Sequence, residues 1–225
     1  MKVFFESMKK FRVLWICVLI ILLSAIVANY TRVSRAKIVY PESLDMVVAI
    51  VQKEEFTLRD FAVYVAHQEA EVQDQAYAYD MDDTRKSWNV RTDYGFVSQV
   101  ARNEAMSMAI HDMLFYQLYQ ELNLDFSEEE KLRIQNSADD CWNDLVDEEK
   151  DIRLGITRED VYDTMYRIAC AQKAQAVYAG IEAVDYEDMD YASEEFLSFL
   201  GDYEYEVKDD VLNRLDFGDI TLVHE

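Results

Sequence analysis

Val47-Val-Ala-Ile-Val-Gln-Lys-Glu-Glu-Phe-Thr-Leu-Arg-Asp-Phe61 is the stretch on which the fold turns. The run from Met46 to Val51 is β-branched and apolar, and polar residues bound it. That pattern predicts a short buried strand, a turn at Gln52-Lys53 and a brief return strand ending at Thr57. Thr57 and Asp60 then have the spacing of a capping box, in which hydroxyl and carboxylate each satisfy a backbone amide of the opening helical turn. Leu58, Phe61, Val65 and Val72 follow at helical spacing, so a first helix should run from the cap and fade near Tyr79. A strand hairpin feeding a long helix is therefore the opening of the domain.

The same logic reads the rest of the chain. One proline and five glycines in 225 residues supply little of the turn chemistry that many short strands need, so long helices are expected. Asp80 to Gly95 is polar and breaks the periodicity, which predicts a loop. A second helix is expected from about Phe96 to Leu122, with Met106, Ile110, Leu114, Leu118 and Leu122 on one stripe and Met113 and Phe115 widening it. Asn123 to Phe126 makes a turn, and Ser127 with Glu130 caps a third helix carrying Leu132, Ile134, Ala138, Trp142 and Leu145. Gly155 ends the next link, and Thr157 with Asp160 caps a fourth helix whose face is Val161, Met165, Ile168 and Ala169, running to about Gly180. Residues 182–206 read as an acidic linker with a short helix around Ser193 to Leu200. Residues 219–223 have strand character and are expected to pair with the Met46 to Val51 strand, joining the two ends of the domain. The expected class is mainly α, a helical domain over 45–225 with a small β element joining its N- and C-terminal strands. No repeat of fixed period is present.

Before that domain lies Val13 to Ala28, sixteen residues without charge or proline. With Asn29 and Tyr30 the segment reaches the lower limit of roughly 17 apolar residues for a membrane span. The expected layout is a tail at 1–12, one transmembrane helix at 13–30 and a basic linker at 31–44. Val13, Trp15, Leu19, Leu23, Ala28 and Tyr30 mark the anchor, with Trp15 and Tyr30 suited to the interfaces. The competing reading is a cleaved signal peptide, but cleavage after Ala25 or Ala28 would put Leu23 or Ile26 where a small residue belongs. Lys2, Lys9, Lys10 and Arg12 precede the segment and Arg32, Arg35 and Lys37 follow it, a four-to-three bias toward an internal N-terminus. The expected location is the cell membrane, single-pass, with the main domain extracytoplasmic.

Charge excludes several function classes. The chain carries a net -23, and beyond residue 30 it holds 18 basic against 44 acidic residues. A body at -26 repels phosphate backbones, so no nucleic-acid partner is expected. Cys17 lies in the hydrophobic segment. Cys141 and Cys170, on consecutive antiparallel helices, would sit at unequal distances from the connecting loop and beyond the ~7 Å reach of a disulfide. Two free thiols are expected. His67, His111 and His224 have no companion at metal-ligand spacing, and no nucleophile elbow or phosphate-cradling glycine loop occurs. The acidic run Asp185, Glu187, Asp188, Asp190 fails the calcium-loop pattern, because Asp190 stands where glycine is required. No metal, no cofactor and no enzymatic activity are expected, and the oligomeric state is not legible.

Methionine and aromatic side chains are the remaining candidates. Met106, Met108, Met113, Phe115, Tyr116 and Tyr119 on the second helix, with Tyr162, Met165 and Tyr166 on the fourth, exceed what single core stripes take up. One reading is a core with helix–helix contacts. The other is a soft groove for extended polypeptide, with an acidic rim that steers basic segments.

The order of these elements resembles a known family. VVAIVQKEEFTLRDF (Val47 to Phe61) resembles the strand–turn–capped-helix opening of the SurA/PrsA-type extracytoplasmic foldases, although Gln52-Lys53 stands where that family usually has Asn-Gly. NEAMSMAIHDMLFYQLYQELNLDFSEEEKLRIQ (Asn103 to Gln135) and GITREDVYDTMYRIACAQKA (Gly155 to Ala174) resemble its next two units, so the likeness covers about Val47 to Ala183. It implies a SurA N-terminal-like, trigger-factor-like peptide-binding domain that cradles unfolded exported polypeptides. The parvulin isomerase domain of that family has no counterpart here: about forty residues follow the fourth helix, without parvulin-like histidines or glycine-rich strands. A bacterial, membrane-anchored chaperone without isomerase activity is the expectation. An accessory or scaffold subunit of a membrane assembly, using the same fold as a fixed docking surface, is the alternative.

Overall fold

The computed structural model describes residues 36–223. The tail, the hydrophobic segment and His224 lie outside the described residues. Among those described, no helix is long and apolar enough to cross a membrane. The residues from Ile38 onward form a compact unit with its own core. That unit begins ahead of the expected boundary at 45, because Tyr40 is buried, donates its hydroxyl to the Leu58 carbonyl at 2.7 Å, and Ile38 donates its amide to the Arg214 carbonyl at 3.1 Å.

The protein is mainly helical with small sheets. Strand β1 (Val47–Val51) pairs antiparallel with β2 (Glu54–Thr57) across Gln52 and Lys53, both with positive φ. This is the twist a two-residue hairpin requires, taken up here by side chains for which left-handed backbone costs roughly 1–2 kcal/mol each. A bulge between Val47 and Ala49 shifts the register, and the pairing resumes with Val47 opposite Thr57. Helix α1 (Leu58–Tyr79) starts at the expected capping box, Thr57 with Asp60. Helix α2 (Thr84–Trp88) and the hairpin β3 (Arg91–Thr92) and β4 (Gly95–Phe96) occupy the stretch expected to be a loop. The order there has a local cause. Asp83 caps α2 by accepting from the Lys86 amide, and the buried Trp88 indole donates to Gln73 of α1 at 3.3 Å.

Helix α3 (Val97–Glu121), α4 (Glu128–Asp147) and α6 (Arg158–Glu182) lie where the sequence places them, while the link before Gly155 holds a further short helix, α5 (Lys150–Leu154), and Leu122 and Leu132, expected on the apolar faces, are 37% and 58% exposed. Gly155 is required where it stands: its φ is +71°, and a Cβ there would meet Pro41 at 2.6 Å. The boxes of α1 and α6 are cross-linked. Arg167 of α6 pairs with the capping Asp60 of α1 at 2.6 Å, and Arg59 of α1 reaches the capping Asp160 of α6 at 3.4 Å.

The C-terminal part departs from expectation. Residues 182–206 are folded rather than a linker: the expected short helix is present as α7 (Glu194–Leu200), and a 3-10 turn at Tyr186–Met189 and the start of strand β5 (Tyr205–Val207) flank it. Phe196 and Phe199 of α7 stack on Phe115 of α3 at 6.1 and 5.6 Å, and this aromatic burial overrides the local charge. The third strand of the sheet is β5, which pairs antiparallel with β1 in the order β2-β1-β5. The expected closing strand at 219–223 is therefore not a strand: both edges of β1 are occupied. After helix α8 (Asp209–Leu212) the chain is held by a buried acid. Glu69 of α1 accepts from the amides of Gly218, Ile220 and Thr221 and from the Thr221 hydroxyl.

Candidate functional site

Helix α3 forms a floor. Tyr64 meets Asp112 and Gln68 meets Glu104 across α1 and α3, so these two helices run antiparallel. Helix α6 packs along α3 as well and reaches α1 at the crossed caps, and the two helices line a groove above the floor.

The groove holds two cavities. The larger, about 780 Å³, has α4 as its outer wall, and a cavity of this volume is within the range of ligand pockets. Its apolar surface comes from Val63, Ala66, Met108, Leu145, Met165 and Ile168. Asp112, Asp140, Asp144, Glu148 and Asp190 stand around it, against one ammonium, that of Lys150, which Glu148 holds at 2.7 Å. The smaller, about 340 Å³, lies toward β2 and includes Glu54, Asp60, Met113, Tyr116 and Arg167. Tyr64 and Asp112 line both cavities, and the Tyr64 hydroxyl donates to Asp112 Oδ2 at 2.9 Å, so this bond partitions the groove. Burial, with the adjacent Asp112 charge, raises the Tyr64 hydroxyl well above its ordinary pKa, which keeps it a neutral donor.

Asp112 also accepts through Oδ1 from His111 Nδ1 at 2.9 Å, while His111 Nε2 faces the Met189 carbonyl at 3.0 Å. The imidazole ring lies 4.8 Å from both Phe115 and Phe196. Both nitrogens are thus engaged, and the ring ties α3 to the C-terminal segment instead of presenting a base to the groove. Cys141 lines the larger cavity, but burial raises its thiol pKa, the opposite of nucleophile activation. Cys141 and Cys170 are free thiols as expected, and burial pushes Cys170 up to about 11. No group of three or more metal-ligating side chains occurs among the described residues.

The nine methionine and aromatic candidates are divided by the fold. Met108 and Met165 line the larger cavity, Met113 and Tyr116 the smaller. Met106 and Phe115 belong to the core, and Phe115 is its aromatic centre, so neither can be a groove residue. Tyr119, Tyr162 and Tyr166 gather instead around Phe126: Tyr119 stacks on it at 5.3 Å, Tyr166 meets it edge-on at 5.8 Å, and Tyr162 stacks on Tyr166 at 6.4 Å. Tyr119 is buried and Tyr162 is 40% exposed. This aromatic group braces the α3–α4 turn and lies apart from the residues that line the cavities.

Val63, Ala66 and Ala70, not among the expected site residues, put a second apolar stripe on α1 beside the core stripe of Phe61 and Val65. Spacing of three and four residues was the available signal. The carboxylates carried no such signal, because in a chain this acidic only the tertiary structure brings Asp140 and Asp144 of α4 to one cavity with Asp112, Glu148 and Asp190.

Compared with protein-family models, with curated proteins and with solved structures, the chain has no match.

Proposed function

We propose that this protein is a membrane-anchored, extracytoplasmic chaperone-like protein that binds segments of unfolded or exported polypeptide in the α1–α6 groove, without isomerase activity. The single observation that carries the reading is the larger cavity: a methionine-containing apolar surface ringed by five carboxylates. Such a surface takes apolar side chains of differing shape, since methionine is flexible and polarizable. Its charge attracts segments in which lysine or arginine neighbours the apolar residue, chiefly by steering encounter. A space of about 780 Å³ suits a few side chains rather than a folded domain, which fits a chain caught in extended form. The hydrophobic segment 13–30 would hold this groove at the membrane, where exported chains emerge. The likeness of the capped-helix order to the SurA/PrsA-type domains supports the same reading.

The test is suppression of aggregation. The 36–225 fragment, in severalfold excess, should slow light scattering by a chemically unfolded client. Asp140→Lys/Asp144→Lys should abolish the preference for basic clients at unchanged melting temperature. No suppression, or no dependence on these two positions, refutes the proposal. Recovery of one stoichiometric partner from membranes, instead of many substoichiometric exported proteins, would point to a scaffold subunit.

A further inference from the structure

Of the five carboxylates around the larger cavity, three already have partners. Asp112 accepts from Tyr64 and faces His111, Asp190 accepts from Gln175 at 3.3 Å, and Glu148 holds Lys150 at 2.7 Å. Asp140 and Asp144 remain. Among the described residues neither has an ion-pair partner, whereas the adjacent Asp139 is taken by Arg158 at 2.6 Å. Both belong to α4 and both are exposed. Four residues of helix separate them, which places them one turn and about 6 Å apart along the cavity wall. Like charges at this spacing repel and work against the helix, so the fold alone gives no reason for the pair.

Cys141 and Leu145 form a second row on α4 at the same spacing, and Leu145 is buried. The other helices bring apolar surface to the cavity: Val63 and Ala66 from α1, Met108 from α3, Met165 and Ile168 from α6. The unpaired negative charge of the cavity is therefore confined to the exposed edge of one wall, and the apolar surface is spread over the others.

Gln175 of α6 adds a third element. It is 2% exposed and lines the same cavity, and its amide nitrogen donates to the Tyr186 carbonyl at 3.1 Å and to Asp190. Its Oε1 accepts from no donor among the described residues, which leaves it for a donor within the cavity. Extended polypeptide matches all three features. Its side chains point alternately to opposite sides, and those on one side recur about 6.6 Å apart, near the pitch of the Asp140–Asp144 pair. Its amides are free to donate, whereas a helix uses its own internally and has none for Gln175.

We infer that the larger cavity selects extended segments in which lysine or arginine alternates with apolar residues. Two cations of such a segment pair with Asp140 and Asp144, the intervening apolar side chains meet the surface formed by α1, α3 and α6, and a backbone N–H donates to Gln175. The inference rests on the groove reading and names the pattern that the groove takes.

The test measures binding of two fluorescein-labelled octapeptides of equal composition to the 36–225 fragment, a compact unit with its own core, by fluorescence anisotropy. One peptide alternates lysine and leucine; the other repeats lysine-lysine-leucine-leucine, so that no two lysines stand two residues apart. The alternating peptide should bind about tenfold more tightly or better, because the other register forfeits one ion pair and lays a lysine on the apolar side. Asp140→Asn/Asp144→Asn, which keeps the shape of two exposed side chains, should weaken the alternating peptide about tenfold and remove most of its salt dependence. Methylating the amides of that peptide one at a time should cost roughly fivefold at the amide that meets Gln175. Equal affinity for the two peptides, or affinity indifferent to Asp140→Asn/Asp144→Asn, overturns the inference and leaves the groove reading standing. A methylation series without a sensitive amide overturns the role of Gln175 and with it the extended register. Failure of both peptides to bind refutes the groove reading itself.

Discussion

Replacing Glu69 by glutamine should unfasten the end of the chain. Glu69 is fully buried, and its two oxygens accept four hydrogen bonds from a segment some 150 residues distant: Ile220 at 3.3 Å, Thr221 amide at 2.7 Å, with the Gly218 amide and the Thr221 hydroxyl at 2.5 Å each. Glutamine keeps the volume and one acceptor oxygen. If that oxygen stays with Gly218 and Ile220, the new amide group faces Thr221, whose hydroxyl can turn to accept but whose N–H cannot. One buried donor left without an acceptor costs about 1–3 kcal/mol. For a body of this size each kcal/mol shifts the melting temperature by ~2–4 °C, so Glu69→Gln should melt roughly 4–8 °C lower, scaling from a ~2 kcal/mol loss. Trp88, stacked over Gly218, reports the event locally. Its emission should change before the far-ultraviolet helix signal, because the C-terminal segment leaves first. The pH dependence has a defined sign. Burial raises the Glu69 pKa above its ordinary value despite the four donors, so its titration-linked contribution to stability is full below about pH 4.5 and is lost as pH rises through the folded value. Glutamine does not titrate, so the gap between parent and variant should narrow as pH increases. A variant melting within 1 °C of the parent, on the scale of about 0.3 kcal/mol, would refute the clamp.

Gly218→Ala should destabilise by a separate route, since φ is +99° and the new Cβ would lie 2.6 Å from the Trp88 ring; a blue-shifted or quenched Trp88 emission together with a lower denaturation midpoint is expected. Glu130, paired with Lys173 at 2.9 Å and bonded to Ser127, is held down to about 2, so its contribution is present above pH 4.5 and lost as pH falls toward 2. Lys173→Met should move the Glu130 titration upward by nuclear magnetic resonance. With aromatic thiol reagent at neutral pH, Cys141, half-buried, should react slowly in the native protein, and Cys170, buried and raised to about 11, only on unfolding. Arg167→Met removes the 2.6 Å pair with Asp60 and should loosen the smaller cavity, read as faster amide exchange across the first turn of α1.

The elements most legible in the sequence are those whose causes are local. Thr57 with Asp60, Ser127 with Glu130 and Thr157 with Asp160 each lie three residues apart, and the hydrogen bonds they make depend on nothing farther away. The β1–β2 hairpin and most of the α3 stripe were legible for the same reason, because a repeat of 2 or 3.6 residues is written in consecutive positions; of the face expected on α6 only Val161 is buried, and Thr164, Cys170, Ala171 and Ala174 carry the burial with it. The four helices, their starts and the free thiols needed no tertiary knowledge. Other features were settled only when distant segments met. Whether Ile220 or Tyr205 pairs with β1 depends on which reaches its one remaining edge. Glu69, adjacent to Gln68 on a helix, reads as an ordinary exposed charge until the 218–221 amides close over it. Met106 and Met108 are alike in type and stand two residues apart, yet Met106 is core and Met108 lines the larger cavity, because the packing of the neighbouring elements on α3 decides which is covered. The sequence by itself determined the helical order and its punctuation. Only the tertiary structure decided the third strand, the buried clamp and which methionines the groove exposes, since each depends on contacts between segments too far apart for periodicity to connect.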